Sequence, residues 1–132
     1  MKAKYYSGKF LGVLESEIME IIWRLSDPSS VRDVTENLQK KRKIAYTTVM
    51  TIMGRLFEKG LLTRKLIGVS YLYQPKLNRE KFVAKTVHNI FATAVSHLGE
   101  EVVTYFAKEI HRLHPKKRQK LLKILDDKQH DY

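Results

Sequence analysis

In the stretch AYTTVMTIMGRLFEK, from Ala45 to Lys59, the side chains able to do chemistry are Thr47, Thr48, Thr51 and Arg55. Each hydroxyl can donate and accept a hydrogen bond, each threonine methyl can pack on a thymine methyl, and the guanidinium has the reach for a phosphate or a guanine edge. Cations bracket the stretch. Arg42 and Lys43 precede it and Arg64 and Lys65 follow it, as candidates for phosphate contacts that position a protein on a polyanion without reading its sequence. The chemistry on offer is recognition rather than bond-making.

Nothing in the chain suggests catalysis. It has no cysteine, no glycine-rich loop to cradle a phosphate, and no spacing that would gather carboxylates with histidine, so an enzyme is not expected. His88, His97, His111 and His114 sit at polar positions of helical stretches, and Pro115 would disturb the helix where His114 has to be held. Neither a metal site nor a cofactor is expected.

Twenty-five Lys and Arg against fourteen Asp and Glu leave a formal charge of +11, which raises the local concentration of polyanions. DNA, RNA and an anionic membrane satisfy that number equally, so the choice falls to the motifs. With 43% hydrophobic and 30% charged residues, the 132-residue chain has the balance of a globular protein structured almost throughout. The lack of cysteine fits a reducing cytoplasm. MKAKYYSGKF has no apolar core of an export signal, and no apolar run approaches the ~18 residues that span a bilayer. A cytoplasmic protein with no membrane partner is expected.

The elements that must position the threonines follow from periodicity. Leu14, Ile18, Ile21, Ile22 and Leu25 recur at helical spacing and predict a first helix over 11–25. Asp27-Pro28-Ser29-Ser30 breaks it, and Ser30 with Asp33 resembles a capping box opening a second helix with Val31, Val34 and Leu38 inward. Val49, Ile52, Met53, Leu56 and Phe57 write a third helix over 46–59, closed by Gly60. Its opposite face carries Thr47, Thr51, Gly54 and Arg55 with Thr48 on the flank, small and hydroxylic enough for the backbone to approach another surface closely. Segments 61–66 and 69–74 switch to a period near two around Ile67-Gly68, with Pro75 ending the second, and predict a β-hairpin. Tyr71 and Tyr73 are expected to pack on the core.

Three helices followed by a hairpin form the element order of a winged helix-turn-helix. The fold class is therefore mainly α with a small β-hairpin wing, a winged helix-turn-helix domain over 1–76 followed by a helical dimerisation region over 77–132. In that region Phe82, Val87, Ile90, Phe91 and Val95 form a broad apolar stripe, Gly99 interrupts it, and Val103, Phe106 and Ile110 resume it. Leu121 and Leu125 extend it on a last helix that could begin at Pro115. The simplest cover for such a surface is the same region of a second chain. Lys116-Lys117-Arg118 could attract a membrane, but the neighbouring stripe suits protein packing better.

The strings LGVLESEIMEIIW, VRDVTENL and above all AYTTVMTIMGRLFEKGLLTR resemble the penicillinase-repressor family, the BlaI/MecI/CopY group of bacterial winged-helix regulators. The resemblance is strong over roughly residues 10–75. It implies a transcriptional repressor that binds a palindromic operator in double-stranded DNA as a homodimer, with Tyr46, Thr47, Thr48 and Thr51 on the base-reading helix. Copper-responsive members use a C-terminal cysteine cluster, which this sequence lacks. β-Lactam-responsive members are cut by a sensor protease at an Asn-Phe bond, whose nearest equivalent here is Tyr105-Phe106, without the Asn. The partners implied are thus DNA, a second copy, and a sensor protease or other inducing partner. The rival reading is a winged-helix module for protein or RNA, since fold alone does not fix function. A single-strand RNA binder should show exposed aromatics for stacking.

Overall fold

The computed structural model describes residues 11–126 and the side chains of 11–123. The chain divides into two compact units, one extending to Val83 and one starting at Ala84.

The first unit opens with α1 (Val13–Leu25), which buries Ile18, Met19, Ile21 and Ile22. It starts later than the Leu11 expected because the Glu15 carboxylate accepts the Gly12 N–H at 3.0 Å and caps the first turn there. In α2 (Val31–Gln39) the capping box is real: the Asp33 N–H donates to Ser30 Oγ and the Ser30 N–H donates to Asp33 Oδ2, each at 3.0 Å. Ser30→Ala leaves the Asp33 N–H without that acceptor and should cost about 1 kcal/mol of folding stability in urea titration. Unchanged stability would mean that solvent replaces the hydroxyl. The third helix, α3 (Tyr46–Glu58), buries Val49, Ile52, Met53 and Leu56, and Gly60 at φ 83° turns the chain out of it.

The hairpin is β1 (Leu62–Ile67) paired antiparallel with β2 (Ser70–Pro75). Both strands lie one residue later than the periodicity indicated, and Pro75 is paired with Leu62 rather than standing outside. The reason is the turn: Ile67 pairs with Ser70, so Gly68 at φ 64° takes the first position of a two-residue connection. The segment expected to be only a breaker also joins the sheet. Ser29 donates to Tyr73 O at 2.9 Å and accepts from the Tyr73 N–H at 2.8 Å, tying the start of α2 to the wing. The three helices, Leu62 and Tyr73 close one core around Ile18, Val34, Leu38, Val49 and Met53.

Beyond the wing come α4 (Arg79–Leu98), α5 (Glu101–His111) and α6 (Pro115–Asp126). Gly99 at φ 92° ends α4, and Pro115 opens α6, where its missing N–H costs nothing. The first turn of α4 is fastened to the winged unit: the Phe82 ring lies 5.3 Å from Trp23, whose indole N–H donates to Leu77 O at 2.9 Å. Arg79 pairs with Glu20 at 2.9 Å beside them. Phe82, expected at a dimer interface, is half-buried and packs one side of its ring on Trp23. In the second unit Phe91 meets Phe106 edge-on at 5.2 Å, yet no residue of α4 or α5 is fully buried. The Leu125 side chain lies outside the described residues. Among the described residues no helix is long and apolar enough to cross a membrane.

Candidate nucleic-acid interface

Seating α3 by Val49, Ile52, Met53 and Leu56 turns its other side outward, and Tyr46, Thr47, Thr48, Thr51 and Arg55 are all exposed on it. All five residues expected to meet base edges therefore share one helix surface. No carboxylate interrupts that surface before Glu58. Gly54 is telling, because a Cβ built there would meet nothing within 4 Å. The fold does not need a glycine at this position, and a helix interior disfavours one by about 1 kcal/mol relative to alanine. What the glycine provides is a bare stretch of outer backbone.

The four bracketing cations differ in their surroundings. Lys43 and Lys65 are exposed and form no ion pair among the described residues. Arg42, itself exposed, reaches back to the half-buried Glu17 at 3.0 Å. Arg64 is the exception. Its guanidinium lies 4.0 Å from the centroids of both Phe57 and Tyr71, and its Nη1 donates to Tyr73 Oη at 3.3 Å. The expected phosphate contact is thus half-buried among aromatics, because Arg64 falls on the same sheet face as the buried Leu62 and opposite Tyr73 in the register. Tyr73 is buried as expected, whereas Tyr71 is exposed and packs on the guanidinium rather than on the core.

Electrostatics on the α1 side are set by pairing. Lys59 meets Glu15 at 2.7 Å. Partial burial works to raise the Glu15 carboxyl, but the hydrogen bonds from Lys59 and the Gly12 N–H, with the charges of Lys59 and Arg55, outweigh it and hold the group below the usual carboxylate range. Glu15, Glu17 and Glu20 so tie down cations from three other parts of the winged unit.

Three residues of this surface escaped sequence reasoning: Met50, Arg32 and Val69, all exposed around a cleft between the start of α3 and the wing. The signal for Met50 was available, since at about 100° per residue it falls one turn from Tyr46 on the edge away from the core. Nothing local marks Val69 or Arg32, whose places depend on how the hairpin folds back. Among the described residues no three potential ligands gather to hold a metal; His97 Nδ1 is bonded to Thr93 O at 2.9 Å and His114 Nδ1 accepts from the Lys116 N–H at 3.2 Å.

The sequence is similar to the transcriptional regulator BlaI of Mycobacterium tuberculosis, 37% identical over 84 residues, 64% of this chain and 61% of that protein. It is also similar to a penicillinase repressor of Staphylococcus aureus, 26% identical over 117 residues, covering 89% of this chain and 91% of the relative. The methicillin resistance regulatory protein MecI of Mammaliicoccus sciuri is 29% identical over 75 residues, 57% of this chain and 60% of its own. In its match to the mycobacterial regulator the chain thus spans 61% of that protein's length. The profile of the penicillinase repressor family matches residues 11–127, nearly the whole of a 132-residue sequence, and the chain belongs to that family.

Proposed function

We propose that the protein is a transcriptional repressor that binds a palindromic operator as a homodimer, with α3 in the major groove and the wing over the backbone. The observation that carries this is the outer face of α3, where exposed Thr47, Thr48, Thr51 and Arg55 surround a glycine that nothing packs against. An α-helix fits the major groove, and hydroxyls and methyls at this spacing meet base edges there. Tyr46 opens the same face. Lys43 and Lys65 supply phosphate contacts, Arg42 joins them by leaving Glu17, and Arg64 braces the wing. Val87, Ile90, Phe91, Val95, Val103, Phe106, Ile110 and Leu121 supply the dimer surface, and occupancy of a promoter in the cytoplasm represses without chemistry.

Titration of the purified protein against its own upstream DNA and a shuffled duplex, at several salt concentrations, tests this reading. A preference of at least ~1,000-fold for the upstream duplex is expected of a site-specific repressor. Tight, salt-steep and unselective binding, or no binding, overturns it. Gly54→Ala probes the close approach directly. It should stabilise the fold by about 1 kcal/mol, since helix propensity improves and no clash arises. It should nevertheless weaken operator binding several-fold, because the new methyl stands between backbone and DNA. A stabilised variant with unchanged affinity would remove the argument from Gly54.

A further inference from the structure

Between the N-terminal end of α3 and the tip of the wing lies an open surface cleft, floored by the start of α2 at Ser30, Val31 and Arg32. Its walls include Tyr46, Met50, Val69 and Tyr71, which are 49%, 45%, 99% and 40% exposed. Tyr46, Met50 and Val69 have no place in the core, and Tyr71 packs on Arg64, so the cleft offers exposed apolar side chains beside polar ones. Arg32 stands on the same wall, and no residue lining the cleft is acidic. Tyr46 and Met50 adjoin the threonine face of α3, so whatever lies on that face continues into the cleft.

We infer that this cleft seats one strand of a DNA duplex, with thymine methyl groups against Met50 and Tyr46 and the deoxyribose edge against Val69. The inference rests on the proposed function and adds to it a chemical class of sequence, thymines at one position of each half-site. Thymine alone carries a methyl in the major groove, and a thioether beside an aromatic ring is a soft, adaptable surface for it. Arg32 lies where a cation can meet the phosphate that accompanies such a sugar. A contact of this kind is apolar and independent of salt, unlike those of Lys43 and Lys65.

Uracil tests this, because it lacks only the methyl and keeps the hydrogen-bonding edge of thymine. The upstream duplex on which specific binding is found is prepared with deoxyuridine replacing thymidine singly across each half-site, and affinities are measured by fluorescence anisotropy. Loss of one methyl contact should weaken binding roughly fourfold at one symmetric pair of positions. In Met50→Ala that loss should vanish, while deoxyuridine elsewhere, opposite the threonines, keeps its effect. Val69→Ser, at a side chain that contributes nothing to the core, should weaken binding without changing the salt slope. If deoxyuridine has no effect anywhere, or if its effect is undiminished in Met50→Ala, the inference is overturned and the cleft belongs to a protein partner. Failure of the proposed function reads out separately, as absence of any preference for the upstream duplex over the shuffled one.

Discussion

Val87→Asp and Val103→Asp should each convert the protein from dimer to monomer and lower operator affinity by about 100-fold or more, since two linked half-site contacts become two independent ones. Neither α4 nor α5 buries a single residue within the chain, although both carry apolar stripes. The Phe91–Phe106 contact joins the two stripes within the second unit but leaves Val87, Val103 and Phe106 exposed. An exposed apolar stripe of this kind marks a surface for contact with another protein. In a two-fold interface each substitution appears twice, so a carboxylate has to be desolvated on both sides of the axis. Both valines are already exposed in the single chain, so the variants should keep their helix content by circular dichroism. Light scattering on the eluting protein reads the mass, and titration reads the affinity. A monomeric unsubstituted protein, or variants that stay dimeric with full affinity, would dispose of the proposed dimer surface.

Helical periodicity made α1, α2 and α3 readable, because one buried stripe at Ile18, Ile22, Val34, Leu38, Val49 and Met53 decides which residues face outward. Once that stripe is placed, Thr47 and Thr51 are outside by rotation alone. The places of Arg64, Phe82 and Ser29 were not readable, for a common reason. Each is decided by a partner distant in sequence: Phe57 and Tyr71 for the arginine, Trp23 for the phenylalanine, Tyr73 for the serine. A cation in a strand looks the same in sequence whether it faces solvent or aromatic rings. Strand parity puts Arg64 on the face of Leu62, but it does not say that the rings of Phe57 and Tyr71 lie over that face.

The pairing of charges decides which cations of the winged unit are held by carboxylates. Three carboxylates of α1 hold Arg42, Lys59 and Arg79, while Lys43 before α3 and Lys65 in β1 have no such neighbour among the described residues. The Glu15 pair also has a pH signature. A carboxyl held below its ordinary range adds stability that is complete above that range and fades as pH falls through the lowered value. The pair is therefore intact at neutral pH and is lost only in acid, below the range in which operator binding would be measured.

Arg64→Lys should fail to replace arginine, and the manner of its failure decides what Arg64 does. The guanidinium is stacked against Phe57 at the end of α3 and Tyr71 in β2, and bonded to Tyr73 in the same strand. It thus ties the second strand of the wing to the helix that presents the threonines. A planar cation can lie between two rings and still donate in its own plane, whereas an ammonium cannot do both. Contacts of this kind contribute roughly 0.5–2 kcal/mol each, so losing them should lower operator affinity on the order of tenfold and reduce thermal stability as well. Because the arginine acts by holding the wing, the salt slope of binding should stay unchanged in both Arg64→Lys and Arg64→Met. Lys65→Ala provides the contrast: it should weaken binding to operator and shuffled DNA alike and flatten the slope by about one unit, as a lost phosphate contact does. If Arg64→Lys binds like the unsubstituted protein and Arg64→Met loses that unit of slope, the guanidinium leaves its aromatic seat for a phosphate when DNA arrives, and the wing is held by backbone pairing to Ser29 instead.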